Sequence, residues 1–385
     1  AAAAGEPPFP TPAQMIERTF VGNVAFEGDV TEETEGSRVI AQAILDDDPR
    51  TLWLLSWGGM NTIVRALMSI AERYRATPEW PAVRQRVYQK VRVMGVADGV
   101  GQDNSWLDHG RELFPELIFW RTPYMYGNYF DAKTAQPDTL PLFKAPWPER
   151  NLTPLMARYM LYGDGKVYEN EPERFQFGKH ARLDWGLEGR PAVQFERGDF
   201  MAEGDSMTYI PLLPFGLRGI DDRDFDTLLG RMFFDGHPDA NAPAGFASIG
   251  TPADDNLNPY LRAYQEDFAA RAQWCAHDPA ACSHPAHVVE VTADRSATAG
   301  ERVDLTATIV DPDGKGFDVH WDVAVDPSSY AGAQDLSLWQ ECTVDAAFIV
   351  PADARPGDRL VLTLTVQTRA ERPCTRYGQV AITVA

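Results

Sequence analysis

From Val288 onward the chain reads as short β-branched segments, VVEVTA, RVDLTATIV, DVHWDV, AAFIV, LVLTLTV and QVAITV, parted by turn clusters such as Asp311-Pro312-Asp313-Gly314. That cadence constrains the last quarter of the protein to an all-β sandwich of immunoglobulin-like type. Before it the cadence differs. Thr51 to Trp57 (TLWLLSW) is an apolar run closed by Gly58-Gly59, and Asn61 to Tyr74 then repeats Ile63, Leu67 and Ile70 at helical spacing, which predicts strand, tight turn and helix. Val91–Val96 and Leu117–Trp120 read as two further buried strands. Ala263–Trp274 reads as a closing helix, and a further helix is expected near Pro154–Leu161. Strands alternating with helices predict an α/β domain with a mostly parallel sheet flanked by helices. The expected organisation is a leader over 1–20, the α/β domain over 21–283, a joint at 284–287 and the sandwich over 288–385.

The 385 residues carry 56 acidic against 35 basic side chains, a formal charge of -21. Such a surface repels a phosphate backbone or an anionic membrane, so neither nucleic acid nor a membrane is an expected partner. No apolar run approaches the roughly 20 residues that span a bilayer. Four cysteines stand as two local pairs, Cys275/Cys282 and Cys342/Cys374. This pattern predicts two disulfides and, with the small-residue opening Ala1 to Gly5, a secreted or periplasmic location. Cys275, His277, Cys282 and His284 also allow a zinc reading, although their spacing matches no usual finger. Asn151-Leu152-Thr153 is a glycosylation sequon by pattern.

In parallel sheets, functional groups gather beyond the carboxyl ends of the strands, here Gly58–Thr62, Asp98–Trp106 and Arg121–Tyr129. Candidate sugar-contacting residues are therefore Trp57, Asp98, Asp103, Asn104, Trp106, Tyr124, Tyr126 and Tyr129, with Trp147 from the aromatic stretch that follows. Flat aromatic faces suit sugar rings, but the same residues serve equally as core, Trp57 above all. Asp98, Asp103 and Asn104 follow a buried strand, where a cleft or a solvated loop would look alike.

The run VGNVAFEGDVTEETEGSRVIAQAILDDDPRTLWLLSWGGMNTIVRAL, from Val21 to Leu67, resembles a family of secreted nucleoside-hydrolase-like proteins, some described as cellulose-binding. The likeness continues through Val91–Val96, Ala145–Asn151, Tyr162–Lys166 and Ala202–Ser206, and takes in the trailing sandwich. It implies a calcium-dependent hydrolase acting on a glycoside or nucleoside. Asn61, in the Trp57–Thr62 turn, would stand where a main-chain carbonyl binds the metal. Asp205 would be the late metal ligand and a catalytic acid beside Glu203, and Asn61 would also lie at the substrate. On residue pattern alone, Glu203 and Asp205 are equally an acidic loop at a helix start.

In the family an aspartate-rich strand stands upstream of Val21–Asn23, beyond the 20 residues that precede them here. The resemblance therefore implies a calcium site that is weak or vacant in this chain alone, and a complementing chain or homo-oligomer over the sheet edge so left open. Asp46-Asp47-Asp48 cannot replace that strand, because it precedes the Thr51 strand and lies at its amino end. The alternative to a hydrolase is a non-catalytic polysaccharide-binding protein on the same scaffold.

Overall fold

The computed structural model describes residues 10–96, 103–117, 119–122, 208–222, 225–233, 247–249, 260–274, 277–325 and 327–385. They fall into two compact units. The first holds the described residues up to 122 with 208–209, 232–233 and 247–249, and the second holds 210–231 and everything described from 260 on.

The first unit opens with a short helix, α1 (Pro12–Ile16), inside the expected leader and capped by Thr11. Helix α2 (Glu35–Leu45) starts at Thr34, whose hydroxyl accepts the Ser37 amide while Ser37 reaches back to the Thr34 amide. This reciprocal cap satisfies two donors that the first turn would leave orphaned. Strand β1 (Leu52–Ser56) leads through Gly58-Gly59 into α3 (Asn61–Tyr74), which buries Ile63, Val64, Leu67 and Ile70 on one face. Each such side chain contributes about 1.5–3 kcal/mol by leaving water. Helix α4 (Trp80–Lys90) runs into β2 (Val91–Val96). A π-helical turn at Trp106–Gly110 continues as α5 (Arg111–Leu113), and β3 (Phe119–Thr122) follows. β1, α3 and β2 lie where the apolar pattern puts them, and β3 starts later than Leu117.

Two short strands, β4 (Asp226–Thr227) and β5 (Gly230–Phe233), pair as a hairpin. Met232 and Phe233 then run antiparallel to β6 (Ala247–Ile249). β1, β2, β3 and β6 are mutually parallel, with Leu52 opposite Val91, Val93 opposite Phe119 and Trp120 opposite Ala247. The carboxyl ends of these strands therefore share one edge of the sheet. Asp46–Asp48 lie at the opposite edge, where Lys90 bonds Asp46 and Arg86 bonds Asp47, as their place before β1 implies.

In the second unit, α6 (Leu261–Trp274) precedes seven strands among the described residues. They are β7 (His287–Val291), β8 (Arg295–Ala297), β9 (Arg302–Val310), β10 (Phe317–Val323), β11 (Asp345–Ile349), β12 (Arg359–Thr368) and β13 (Thr375–Val384). One sheet has the order β10-β12-β13-β8 and the other β11-β9-β7. Val303, Leu305 and Phe348 from the smaller sheet meet Trp321, Leu362, Leu364 and Val380 from the larger in one apolar core.

The other face of the larger sheet is covered from within the same unit. Phe225 packs on Val361 and Ala381, the Phe215 carbonyl accepts the Tyr377 amide at 2.7 Å, and Asp267 on α6 pairs with Arg376 at 2.8 Å. Residues 210–231 and α6 thus group with the strands.

The cysteines depart from expectation. Cys282, Cys342 and Cys374 are free thiols, and Cys275 lies outside the described residues. Trp321 of β10 donates its amide to Glu341, which puts Cys342 along the outer edge of β10, whereas Cys374 is buried at the start of β13. Since β12 lies between β10 and β13, the two backbones are at least two strand spacings of about 4.8 Å apart, too far for a disulfide.

Candidate functional site

At the carboxyl end of β1 the chain turns sharply. The Ser56 hydroxyl donates to the Gly59 carbonyl at 3.1 Å, and Gly58 takes φ +143°, a conformation that L side chains rarely adopt. The turn swings Trp57 outward, leaving it 59 % exposed. Its indole is nevertheless held. Nε1–H donates to the hydroxyl of buried Thr208 at 2.6 Å, and the half-open ring of Tyr209 stands 6.4 Å away, tilted by 50°. An exposed aromatic pair fixed in advance presents apolar faces to a ligand with little further loss of side-chain freedom.

Behind Trp57 a polar network fixes the start of α3. Met60 supplies no side-chain cap, and the buried carboxylate of Asp103 takes that part from beyond β2. Its Oδ2 accepts the Asn61 amide at 2.8 Å and its Oδ1 the Ser105 amide at 2.7 Å. A negative group at this position also meets the positive end of the helix dipole. Asn61 donates its side-chain amide to the Asn23 carbonyl at 2.8 Å, and the Asn23 backbone amide donates to the Thr62 hydroxyl oxygen at 2.9 Å. Gly59 must lack a side chain here. A Cβ would lie 2.8 Å from Asn61 Oδ1 and 3.0 Å from Asp103 Oδ2. Nearby in sequence, buried Asp29 accepts the hydroxyl and amide of Thr31, which hold its carboxyl below the usual range.

The residues expected at the site fare differently. Trp57 is open to solvent, and Asn61 is a buried part of the framework. Asn104 is exposed and uses its carbonyl to accept the Asp108 amide. Trp106 is a correction: it is 2 % exposed in the core with Val93 and Phe114, so it offers no open face to a sugar. Asp98, Tyr124, Tyr126, Tyr129, Trp147, Glu203 and Asp205 lie outside the described residues. Thr208 and Tyr209 were not anticipated. Their signal was their place just after the matched Ala202–Ser206 stretch.

Calcium takes six to eight oxygen ligands. Among the described residues no group of three or more histidine, cysteine, aspartate or glutamate side chains is placed to hold a metal ion. Each oxygen of Asp103 accepts one backbone amide, and of the two expected metal ligands, Asn61 and Asp205, the second lies outside the described residues. No helix among the described residues is long and apolar enough to cross a membrane.

The parallel strands, the Gly turn into α3 and the groups gathered at the strand ends define an α/β protein of nucleoside-hydrolase-like architecture. A solved nucleoside hydrolase-related protein from Saccharophagus degradans, described as associated with carbohydrate metabolism, matches over 98 % of this chain and 82 % of its own. The TM-score is 0.68 at 21 % identity, a likeness of fold. The chain belongs to the family of the cellulose-binding Sde182 nucleoside hydrolase-like domain, whose model matches residues 3–232. An immunoglobulin domain from a titin M10–obscurin-like 1 complex and murine CRIg each match 26 % of the chain. They cover 94 % and 99 % of their own lengths, at 18 % and 11 % identity with TM-scores of 0.19 and 0.20. A search of curated proteins found no match.

Proposed function

We propose that this protein binds a polysaccharide of the cellulose type through the Trp57 face, without need of catalysis, on a scaffold shared with nucleoside hydrolases. One observation carries the reading: a tryptophan largely open to solvent, yet held by Thr208 and flanked by Tyr209, at the carboxyl end of a parallel strand. The family's description as cellulose-binding supports the ligand class. The two-sheet unit would be an immunoglobulin-like accessory module, supported by its strands dividing four and three and by the parallel pairing of β8 with β13. An exported location would suit such a ligand.

Calcium-dependent glycoside hydrolysis is the second reading, and it rests on Glu203 and Asp205 by resemblance. The two readings part in one experiment, in which the full chain is incubated with cellulose and other insoluble glycans, with and without calcium. Retention on the solid with no soluble sugar released is the expected result. Calcium-dependent release of sugar would replace it with the hydrolytic reading, and absence of both retention and release would overturn the site.

A further inference from the structure

The thiol of Cys342 does not stand alone. Gln340 has φ +58°, the one left-handed non-glycine among the described residues, and the turn it makes is closed by the Thr343 amide on the Gln340 carbonyl at 2.9 Å. The Trp321 amide hooks the turn to β10 by donating to Glu341 at 2.8 Å. Backbone strain of this kind persists where the surroundings impose it. Its outcome is that Cys342 Sγ lies 3.6 Å from Nδ1 of His320, within reach of a sulfur hydrogen bond. His320 and Asp322 are two apart on β10 and so share a face, and Nε2 of the imidazole lies 3.0 Å from Asp322 Oδ1.

A carboxylate beside Nε2 selects the tautomer that carries its hydrogen there. Nδ1 is then left as an acceptor pointed at the thiol. Nucleophile, base and orienting carboxylate are thus in sequence, as in activated-thiol sites. The three are open to solvent, with His320 and Asp322 47 % and 64 % exposed. The other charged group on this face of β10, Asp318, is paired with Arg369. From β12 the residue opposite His320 is the uncharged Thr365, and the turn contributes Glu341 beside Cys342.

We propose that Cys342 is a base-assisted reactive thiol, with His320 as its base and Asp322 as the positioning residue, and that it forms mixed disulfides with low-molecular-weight disulfides. The thiol gives its proton to His320 Nδ1 and the thiolate attacks one sulfur of the disulfide. A bond forms between Cys342 Sγ and that sulfur as the original S–S bond breaks. The departing thiolate takes the proton back from His320, so Cys342 is oxidised, the departing sulfur is reduced and no proton is gained or lost. The other described cysteines cannot compete. Burial pushes the Cys374 thiol up to about 12 and raises that of Cys282.

The full chain, incubated with oxidised glutathione and followed by intact mass and peptide mapping, tests this. Among the described cysteines one adduct is expected, on Cys342, and none in Cys342→Ser. At pH 7 the rate should fall about tenfold in His320→Ala and in the size-matched His320→Asn, and about threefold in Asp322→Asn, less than the hundredfold or more that a positioned base commonly contributes, because an ordinary thiol is already a few per cent thiolate at that pH. At pH 10 an exposed thiol ionises unaided and the rates should converge. Rates within twofold of the parent protein at pH 7 in both His320 variants would overturn the assignment. So would a deficit that persists at pH 10, which would mean altered access, or an adduct on Cys282 or Cys374 in the folded protein.

Discussion

Asp103, which follows β2, caps the helix that follows β1: its Oδ2 accepts the backbone amide of Asn61 at 2.8 Å while Oδ1 holds that of Ser105. One carboxylate thereby ties two successive strand-end loops together. Asp103→Asn keeps the shape but puts an NH2 group against one of two amide donors and removes the charge from the helix end. A loss of about 1–3 kcal/mol is expected. Chemical denaturation checks it, and a change below 0.5 kcal/mol, about the scatter of ordinary surface substitutions, would show that α3 does not depend on this cap.

Trp57→Ala should separate binding from stability. The side chain is mostly in water, so its removal should cost little of the fold, within about 1 kcal/mol. If the indole face is the main contact with glycan, affinity for the solid should fall ten- to a hundredfold, or about 1.4–2.8 kcal/mol. Trp57→Phe should recover part of it. Depletion isotherms on cellulose, run beside thermal melts, give both quantities, and equal isotherms for all three proteins would remove Trp57 from the site.

Much of the framework was legible because the pattern is simple where burial is one-sided. Asn61–Tyr74 shows its apolar stripe openly, and Arg302–Val310 alternates cleanly, so both elements fall on the residues that the pattern selects. Helix α4 has Val87 as its one buried residue and left no stripe to read. Strand β8, Arg295–Ala297, is short and carries no strand-forming side chain; its pairing with Ile382–Val384 makes it a strand.

The site was harder to read. TLWLLSW looks like continuous core, and the turn at Gly58, not any preference of tryptophan, puts Trp57 outside. Trp106 looked like a ligand platform but packs against Gly110, where a Cβ would lie 2.4 Å from the indole. The cysteine spacings carried no information about which strand would stand between Cys342 and Cys374.

Gly216 is the backbone joint by which residues 210–222 lie on the larger sheet of the second unit. It has φ +93°, and a Cβ there would come within 1.9 Å of the Tyr377 carbonyl oxygen. Because the obstacle is backbone, it cannot be relieved by a rotamer change. Gly216→Ala should therefore cost more than about 1–3 kcal/mol, strain and displacement together. Hydrogen exchange localises the effect, with faster exchange at the Tyr377 amide, which now donates to Phe215. An unchanged melt with unchanged exchange there would contradict this packing.

The same segment is anchored by charge, which gives its stability a pH dependence with a definite sign. Arg218 makes a two-point contact with Asp294, at 2.8 Å to each oxygen, and lies over the Phe225 ring at 4.0 Å. The Asp294 carboxyl is held below its usual range by the Arg218 guanidinium first and also by the Ala381 amide. A carboxyl lowered in the folded state binds protons more weakly than in the unfolded chain. Its contribution is thus complete above the unfolded value, about 4, and is lost as pH falls through the lower folded value. The pair is partly open to water, its side chains 34 % and 40 % exposed, so screening limits the contribution to less than about 1 kcal/mol. Asp294→Asn keeps an oxygen for the Ala381 amide, removes the charge and sets an NH2 group against one arm of the Arg218 guanidinium. The parent protein should be more stable than this variant at pH 7, and the gap should close as the pH is lowered through and below 4. A gap that stays constant from pH 7 to pH 3 would show that Asp294 holds the segment by hydrogen bonding alone.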